Sequence, residues 1–387
     1  MKSEDEHRKV KLNINPFFWI IPIILTGIGI LMIISTTSAS SLTYTGTPFQ
    51  MGIKQLQWFF IAVFISVFVY MMKLDFFYKN STRFVAFSLI LSFMPMVPGI
   101  GASIGGARRW IQIPGLSISI QPGELLCLAI AIHLSKLISK NKKDLLKMMY
   151  VTMFWVIIAA IPLLFQPDFG TTFLIFTVAM GIYIEKMGWK YPIILGGLTS
   201  IPAICILVFG TSYRMRRVSA FINPWDDPLN TGYQAIQGLI AFANGGFWGS
   251  GLGHGFQKLN YLPAVYTDFI FAAIGEELGL IGTLFVLLLF AFWFFQCHTI
   301  YLRSRNDFQS SLVWGITLTI LMPLAINVFG VTKFIPLTGM PLPFVSYGGT
   351  SLVLMWIKVA ILMRVEKEIF LEIDETRSEL LCANQSF

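Results

Sequence analysis

Ten stretches of largely apolar side chains, most of them near the length that crosses a bilayer, restrict this chain more than any other feature. They cover residues 17–37, 58–72, 84–97, 125–138, 149–165, 171–183, 191–209, 269–295, 312–329 and 342–362. A spanning helix needs about 20 apolar residues, because each rises about 1.5 Å through about 30 Å of hydrocarbon. Hydrocarbon offers no water to the backbone, so such segments must satisfy their own polar groups as helices. The sequence therefore predicts an all-α polytopic membrane protein of about ten transmembrane helices, with residues 1–387 forming one membrane domain. Only 12% of residues are charged and the mean hydropathy is +0.71, whereas a soluble domain carries about 25% charged residues. Scattered Gly and Pro without a period exclude a collagen-like chain. The first run follows a basic stretch and precedes Ser38-Ala39-Ser40, as a signal peptide would. It is too long for one and reads as a retained span.

Charge orients the spans. With residues 1–16 inside, twenty of the 28 Lys and Arg fall on the inner side, as the positive-inside rule requires. Lys54, Arg108, Arg109, Arg214, Arg216, Arg217, Lys258 and Lys333 stay outside. Both termini are then cytoplasmic, with a tail over 363–387, and the net charge of +8 reports topology rather than nucleic acid. Two outer connections are long, 98–121 between spans three and four and 210–268 between spans seven and eight. Loops of that length usually carry function. Within the second, 235–242 suits an interfacial or re-entrant helix.

Thirteen of the 20 Asp and Glu lie at the inner termini and inner loops, where a solvated surface explains them. The other seven, Glu124, Asp168, Asp226, Asp227, Asp268, Glu276 and Glu277, lie in outer loops or the outer part of a span. Ionisable groups at membrane depth are costly and mark functional or paired positions. Asp268 stands where the long loop enters span eight. Desolvation there would lift its carboxyl above about 3.9 and make it a better base; an N-cap role fits the position equally and is compatible with it. Glu276 and Glu277 follow roughly 12 Å deeper. Adjacent acids at that depth call for protonation or a cation partner, in a structural or cavity role. Glu124 and Asp168 each follow a Pro turn, as caps or as cavity lining.

Arg108-Arg109-Trp110 and Arg214-Met215-Arg216-Arg217 run against the charge bias, and Arg forks suit phosphate, although headgroup snorkelling also explains the triplet. Gly101, Gly105 and Gly106 would let backbone approach a bulky ligand. Cys127, Cys205, Cys297 and Cys382 show no paired spacing, the four His are dispersed, and there is no P-loop or Ser/His/Asp set. No metal site or cofactor is required by the sequence, and no internal repeat is evident.

Several segments together resemble the SEDS family, the shape, elongation, division and sporulation group of peptidoglycan polymerases. They are Arg109-Trp110-Ile111 with Gln121-Pro122-Gly123-Glu124, Gln166-Pro167-Asp168-Phe169-Gly170, and Tyr213 to Arg217. The list continues with Asn223 to Pro228, Gly245 to Gly253, Tyr261 to Ala272, Gly275 to Gly279, and Pro341 to Gly349. The wording of the long loop is nearer the division-type members than the elongation-type. The resemblance implies ten spans, a large outer loop between spans seven and eight, and polymerisation of lipid II in the plasma (inner) membrane, at the extracytoplasmic face, for septal wall synthesis. The partners it implies are lipid II, a class B penicillin-binding transpeptidase and other division proteins. A divalent cation is the one inorganic helper that a pyrophosphate leaving group leaves room for. By the same resemblance Asp268 matches the family's essential Asp and is the catalytic base, Glu124 and Asp168 line the central cavity, and Arg109, with Arg214, Arg216 and Arg217 behind it, contacts pyrophosphate or the cavity. One departure stands out: many members carry Lys three residues after the acid of span four, where this chain has Cys127. The ion pair expected there is lost. Three other functions remain open: a lipid II flippase, an elongation-type polymerase for cell shape and a non-catalytic division scaffold. The first would spread charged contacts through the membrane depth rather than gather the unusual acids at one face.

Overall fold

The computed structural model describes residues 16–45, 47–104, 107–112, 119–140, 144–194, 221–259 and 261–385. Helices α1 (Phe17–Thr45), α2 (Gln50–Met71) and α3 (Leu74–Phe93) lead into a small antiparallel sheet. Its strands β1 (Gly101–Ile104), β2 (Ala107–Gln112) and β3 (Ser119–Ile120) pair in chain order. Helices α4 (Pro122–Lys140), α5 (Leu145–Phe165) and α6 (Phe169–Met187) follow. Beyond them come α7 (Tyr233–Gly245), α8 (Ile270–Arg303), α9 (Asp307–Val331) and α10 (Gly349–Gln385).

Seven described helices, α1, α2, α4, α5, α6, α8 and α9, are long and apolar enough to cross a membrane. Their exposed residues include Phe60, Phe64 and Phe68 on α2 and Leu288, Phe292 and Phe295 on α8, side chains that only lipid or another protein would cover. Two apolar clusters hold the bundle. One joins α1, α8, α9 and α10; the other joins α4, α5 and α6, and α9 contributes to both.

Four expectations are redrawn. The loop over 98–121 is not purely irregular but holds the three-stranded sheet, where β2 supplies its middle strand. Gly101 does not leave room for a ligand: a Cβ there would strike the Pro95 carbonyl. The tenth run starts late, because Pro341 and Pro343 lack amide donors and the Ser346 hydroxyl accepts the Leu342 amide at 2.8 Å; the helix begins only at Gly349 and then continues through the tail to Gln385. Glu185 and Asp307, read as a solvated surface, form a network. Glu185 is 4% exposed in its side chain, accepts from Tyr301 and Ser311, and pairs with Lys186, which also reaches Asp307 at 3.3 Å. The seventh run lies mostly outside the described residues, although 190–194 are helical.

Helix α8 is not continuous. Gly279 has φ +69, and the helix kinks there. Residues 246–251 fill the break: the Gly246 and Phe247 carbonyls accept from the Leu280 and Ile281 amides, while Ser250 and Gly251 donate to the Glu276 and Glu277 carbonyls. The broken ladder is thus made good by neighbouring backbone, as irregular backbone at membrane depth requires. The turns on one side of the bundle meet. Gly348 donates to Gln55, Thr350 to the Ser119 carbonyl, Tyr347 to the Tyr266 carbonyl and Arg109 to the Pro167 carbonyl.

Candidate active site

Two acidic centres occupy this end of the bundle. At the first, Asp168 caps α6: its carboxylate accepts from the Thr171 amide at 3.2 Å, the Thr171 hydroxyl at 2.8 Å and Gln121 at 3.3 Å. Such an N-cap satisfies donors that the first turn leaves open. Asp168 is 2% exposed. Arg109, projecting from β2, donates to the Pro167 carbonyl at 2.6 Å and approaches Asp168 at 3.7 Å, and its buried Nε has no partner. Glu124 sits in the first turn of α4 with Asp168 as a neighbouring charge. Its Oε2 is shut off from solvent and unpartnered. From α10, Ser351 lies beside Glu124, and the charge of Lys358 bears on Glu124 and Cys127. The lysine expected on α4 is therefore met by one on α10.

The second centre is Asp268. The N-cap position of α8 is Phe269, without a side-chain cap bond, so Asp268 precedes the cap instead of occupying it. The strand of chain before it is clamped from the α9–α10 connection. Asn327 donates to both the Asp268 and Met340 carbonyls, at 2.8 and 2.7 Å, and Ser346 donates to the Thr267 carbonyl at 2.6 Å. Tyr266 and Tyr347 meet edge to face at 5.8 Å. Gly339, at φ +75, brings its backbone beside the carboxylate: a Cβ there would sit 3.2 Å from Oδ2. Asp268 then lines a cavity of about 350 Å³ with Asn230, Thr231, Gln234 and Lys333. Met340 stands between the two centres, packing on Gly170 from the segment that holds Asp268.

Backbone strain is concentrated here. Among the described residues the non-glycine positions with positive φ are Pro167, Ala264, Lys333 and Phe344. The first precedes Asp168 and the others lie in the two segments that frame Asp268. Each such residue costs on the order of 1–3 kcal/mol and persists where surrounding structure dictates it, a pattern typical of working sites.

Of the partners that the sequence suggested for Glu276 and Glu277, no cation is in place among the described residues. Both are buried, and backbone amides and polar side chains hold them. Glu276 accepts from the Phe256 and Gln257 amides and from Asn244; Glu277 accepts from Ser35 at 2.6 Å and from the Gly253 amide at 3.1 Å. Within the described residues neither lies in ion-pair range of a cation. Asp227 organises the cavity wall: it accepts from the Asn230 side chain at 2.9 Å and from the Thr231 amide and hydroxyl. The Asn230 bond, then those from Thr231, hold its carboxyl below the usual carboxylate range. That local order is fully present at neutral pH and is lost only as pH falls through this lowered value.

Arg214, Arg216 and Arg217 lie outside the described residues. Sequence reasoning missed Lys333, Asn327, Gly339 and Lys358. Asn327 and Lys358 were visible as polar side chains inside apolar runs; Lys333 and Gly339 carried no signal without the turn that brings them to Asp268.

The profile of the FtsW/RodA/SpoVE family, described as cell cycle protein, matches residues 16–369. A probable peptidoglycan glycosyltransferase FtsW of Escherichia coli O6:H1 (strain CFT073) is 34% identical over 360 residues, covering 90% of this chain and 84% of that protein. The protein of the same description from Geobacter sp. (strain M18) is 39% identical over 285 residues, 72% of this chain and 76% of its own. One chain of a peptidoglycan synthase complex, solved for its coordination of polymerization and crosslinking, superposes with a TM-score of 0.75 at 18% identity, covering 91% of this chain and 97% of that one. Thermus thermophilus rod shape determining protein RodA superposes with a TM-score of 0.67 at 18% identity, over 91% and 96%.

Proposed function

The chain belongs to the FtsW/RodA/SpoVE family of cell cycle proteins, and from that premise we propose that it is a peptidoglycan glycosyltransferase of bacterial cell division, polymerising lipid II into glycan strands. The observation that carries the reading is the cavity in which the Asp268 carboxylate meets Asn230, Thr231, Gln234 and Lys333. A sugar hydroxyl of one lipid II attacks the anomeric carbon of the other. Asp268 takes the hydroxyl proton as the new C–O bond forms. The old C–O bond to pyrophosphate breaks, and its electron pair leaves with undecaprenyl pyrophosphate. Pyrophosphate is a good leaving group, so the chemistry needs a base on one side and positive charge on the other. Lys333 supplies charge at the cavity, and Arg109, Arg214, Arg216 and Arg217 are assigned to pyrophosphate or cavity contact. Among the described residues no three His, Cys, Asp or Glu side chains gather as a metal site, so an assisting divalent cation would arrive on the pyrophosphate.

In this reading the site end faces outward from the plasma (inner) membrane, both termini are cytoplasmic, and a class B penicillin-binding transpeptidase and other division proteins are the partners. The test is polymerisation of labelled lipid II by the purified protein, resolved on a gel, alone and with its transpeptidase. A ladder of glycans is expected. If no polymer forms even with the partner while labelled lipid II crosses protein-containing vesicles, the chain is a flippase and the proposal fails.

Arg109 yields a separate expectation. Its fork holds the Pro167 carbonyl while facing Asp168, and a lysine ammonium cannot span both. Arg109→Lys should slow polymerisation about ten- to a hundredfold, the equivalent of one charge-assisted hydrogen bond at about 1.5–3 kcal/mol, as read from initial rates of ladder growth. An unchanged rate would remove Arg109 from the site.

A further inference from the structure

Lys358 lies nine residues into α10, about 14 Å below its start, and is 2% exposed. Among the described residues its ammonium touches the Thr319 carbonyl at 3.4 Å and the Met355 sulfur at 3.8 Å. Neither is a counter-charge, and a cation at such depth is costly without one. The groups it faces are Glu124 and Cys127, one turn apart on α4. Ser351, Met355 and Lys358 follow i, i+4, i+7 spacing and so form one stripe of α10. Ser351, at its top, lies beside Glu124. An acid on α4 with a buried, unpartnered oxygen thus stands near a cation on α10 that has no counter-charge within 4 Å among the described residues.

We propose that Lys358 is the counter-cation of Glu124 and a positioning residue of the site: borne on α10, it holds the Glu124 carboxyl aimed toward Asp168 and Arg109. The four side chains then form a neutral line across the first acidic centre, with a cation at each end and two acids between. α10 is thereby tied to α4 by charge as well as by packing. For its effect on activity the inference rests on the polymerase reading; the ion pair itself does not.

The test relocates the charge. Lys358→Met should reduce ladder formation roughly ten- to a hundredfold, the scale of loss when a reacting group is misplaced by about 1 Å. The double variant Cys127→Lys/Lys358→Met, which returns an ammonium to the facing position on α4, should recover most of the rate. Cys127→Lys alone, with two cations on one acid, should be slower than wild type. In detergent, Tm values of Lys358→Met, Glu124→Gln and the double Glu124→Gln/Lys358→Met should be non-additive, the double variant melting above Lys358→Met. A wild-type rate in Lys358→Met, or a relocation variant no better than Lys358→Met, overturns the role in positioning. Additive Tm shifts overturn the pair. Should Lys358→Met not accumulate, recovery of folded protein by the relocation variant upholds the proposal and its failure rejects it. A wild type that makes no ladder rejects the activity, and the Tm cycle then decides the pair by itself.

Discussion

Asp268→Asn is expected to abolish glycan ladders while leaving the protein folded. Asn has the same shape, and the bond that fixes this stretch runs from Asn327 to the Asp268 backbone carbonyl, which the substitution does not touch. What disappears is the capacity to accept a proton from the attacking hydroxyl. Removing a general base costs about 10²–10⁴ in rate, or roughly 3–5 kcal/mol of transition-state stabilisation. The measurement is initial ladder growth beside a detergent melting curve, with co-purification of the transpeptidase as a second check on folding. A variant that melts and binds like wild type yet still polymerises within a few-fold would unseat Asp268 as the base. Gly339 sharpens the expectation, since its missing side chain leaves the carboxylate its space.

The largest effect on stability is expected from Gly279→Ala. At φ +69 any L side chain is strained by about 1–2 kcal/mol. Here the added methyl would also meet the Gly249 amide and the Phe247 carbonyl, which are backbone and cannot rotate away. Overpacking of that kind costs a further 1–3 kcal/mol or so, for a total of about 2–5 kcal/mol. The loop over 246–251 would be pushed out of the break in α8, and the Leu280 and Ile281 amides would lose their acceptors. Tm in detergent should fall by several degrees, and limited proteolysis should open first within 246–257. Equal melting of variant and wild type would mean that the kink is not held as described. Gly27→Ala is the control, at a position with helical backbone in α1, where an added Cβ would meet nothing within 4 Å.

The membrane class was legible because hydrocarbon forces a length and a composition on every span, and both survive without any knowledge of packing. Asp268 and Asp168 were legible for a related reason: a charge against apolar sequence is conspicuous. What could not be read was where each found its partner. Glu276 and Glu277 invited cations, but the structure answers with amides from a glycine-rich loop, and nothing in that loop advertises amide donors. Cys127 read as a lost ion pair. The lysine that faces it lies on another helix more than two hundred residues away, so only the packing of α10 on α4 reveals it. The late start of α10 was legible in part, through Pro341 and Pro343. Yet apolar Leu342, Phe344 and Val345 disguised a clamp on the Asp268 segment as the beginning of a span.

The donors that hold Glu276 and Glu277 carry a further consequence, for the order in which the protein can be made. Ser35, Asn244, Gly253, Phe256 and Gln257 all precede α8 in the chain. An acid inside an inserting helix is costly, and here the described groups that hold Glu276 and Glu277 have already been synthesised when α8 emerges. Asp268 is the reverse case. Asn327, Gly339, Ser346 and Tyr347, which fix its segment, are all still to come. A nascent chain ending after α8 thus has Glu276 and Glu277 anchored, while the Asp268 segment waits for the residues that frame it.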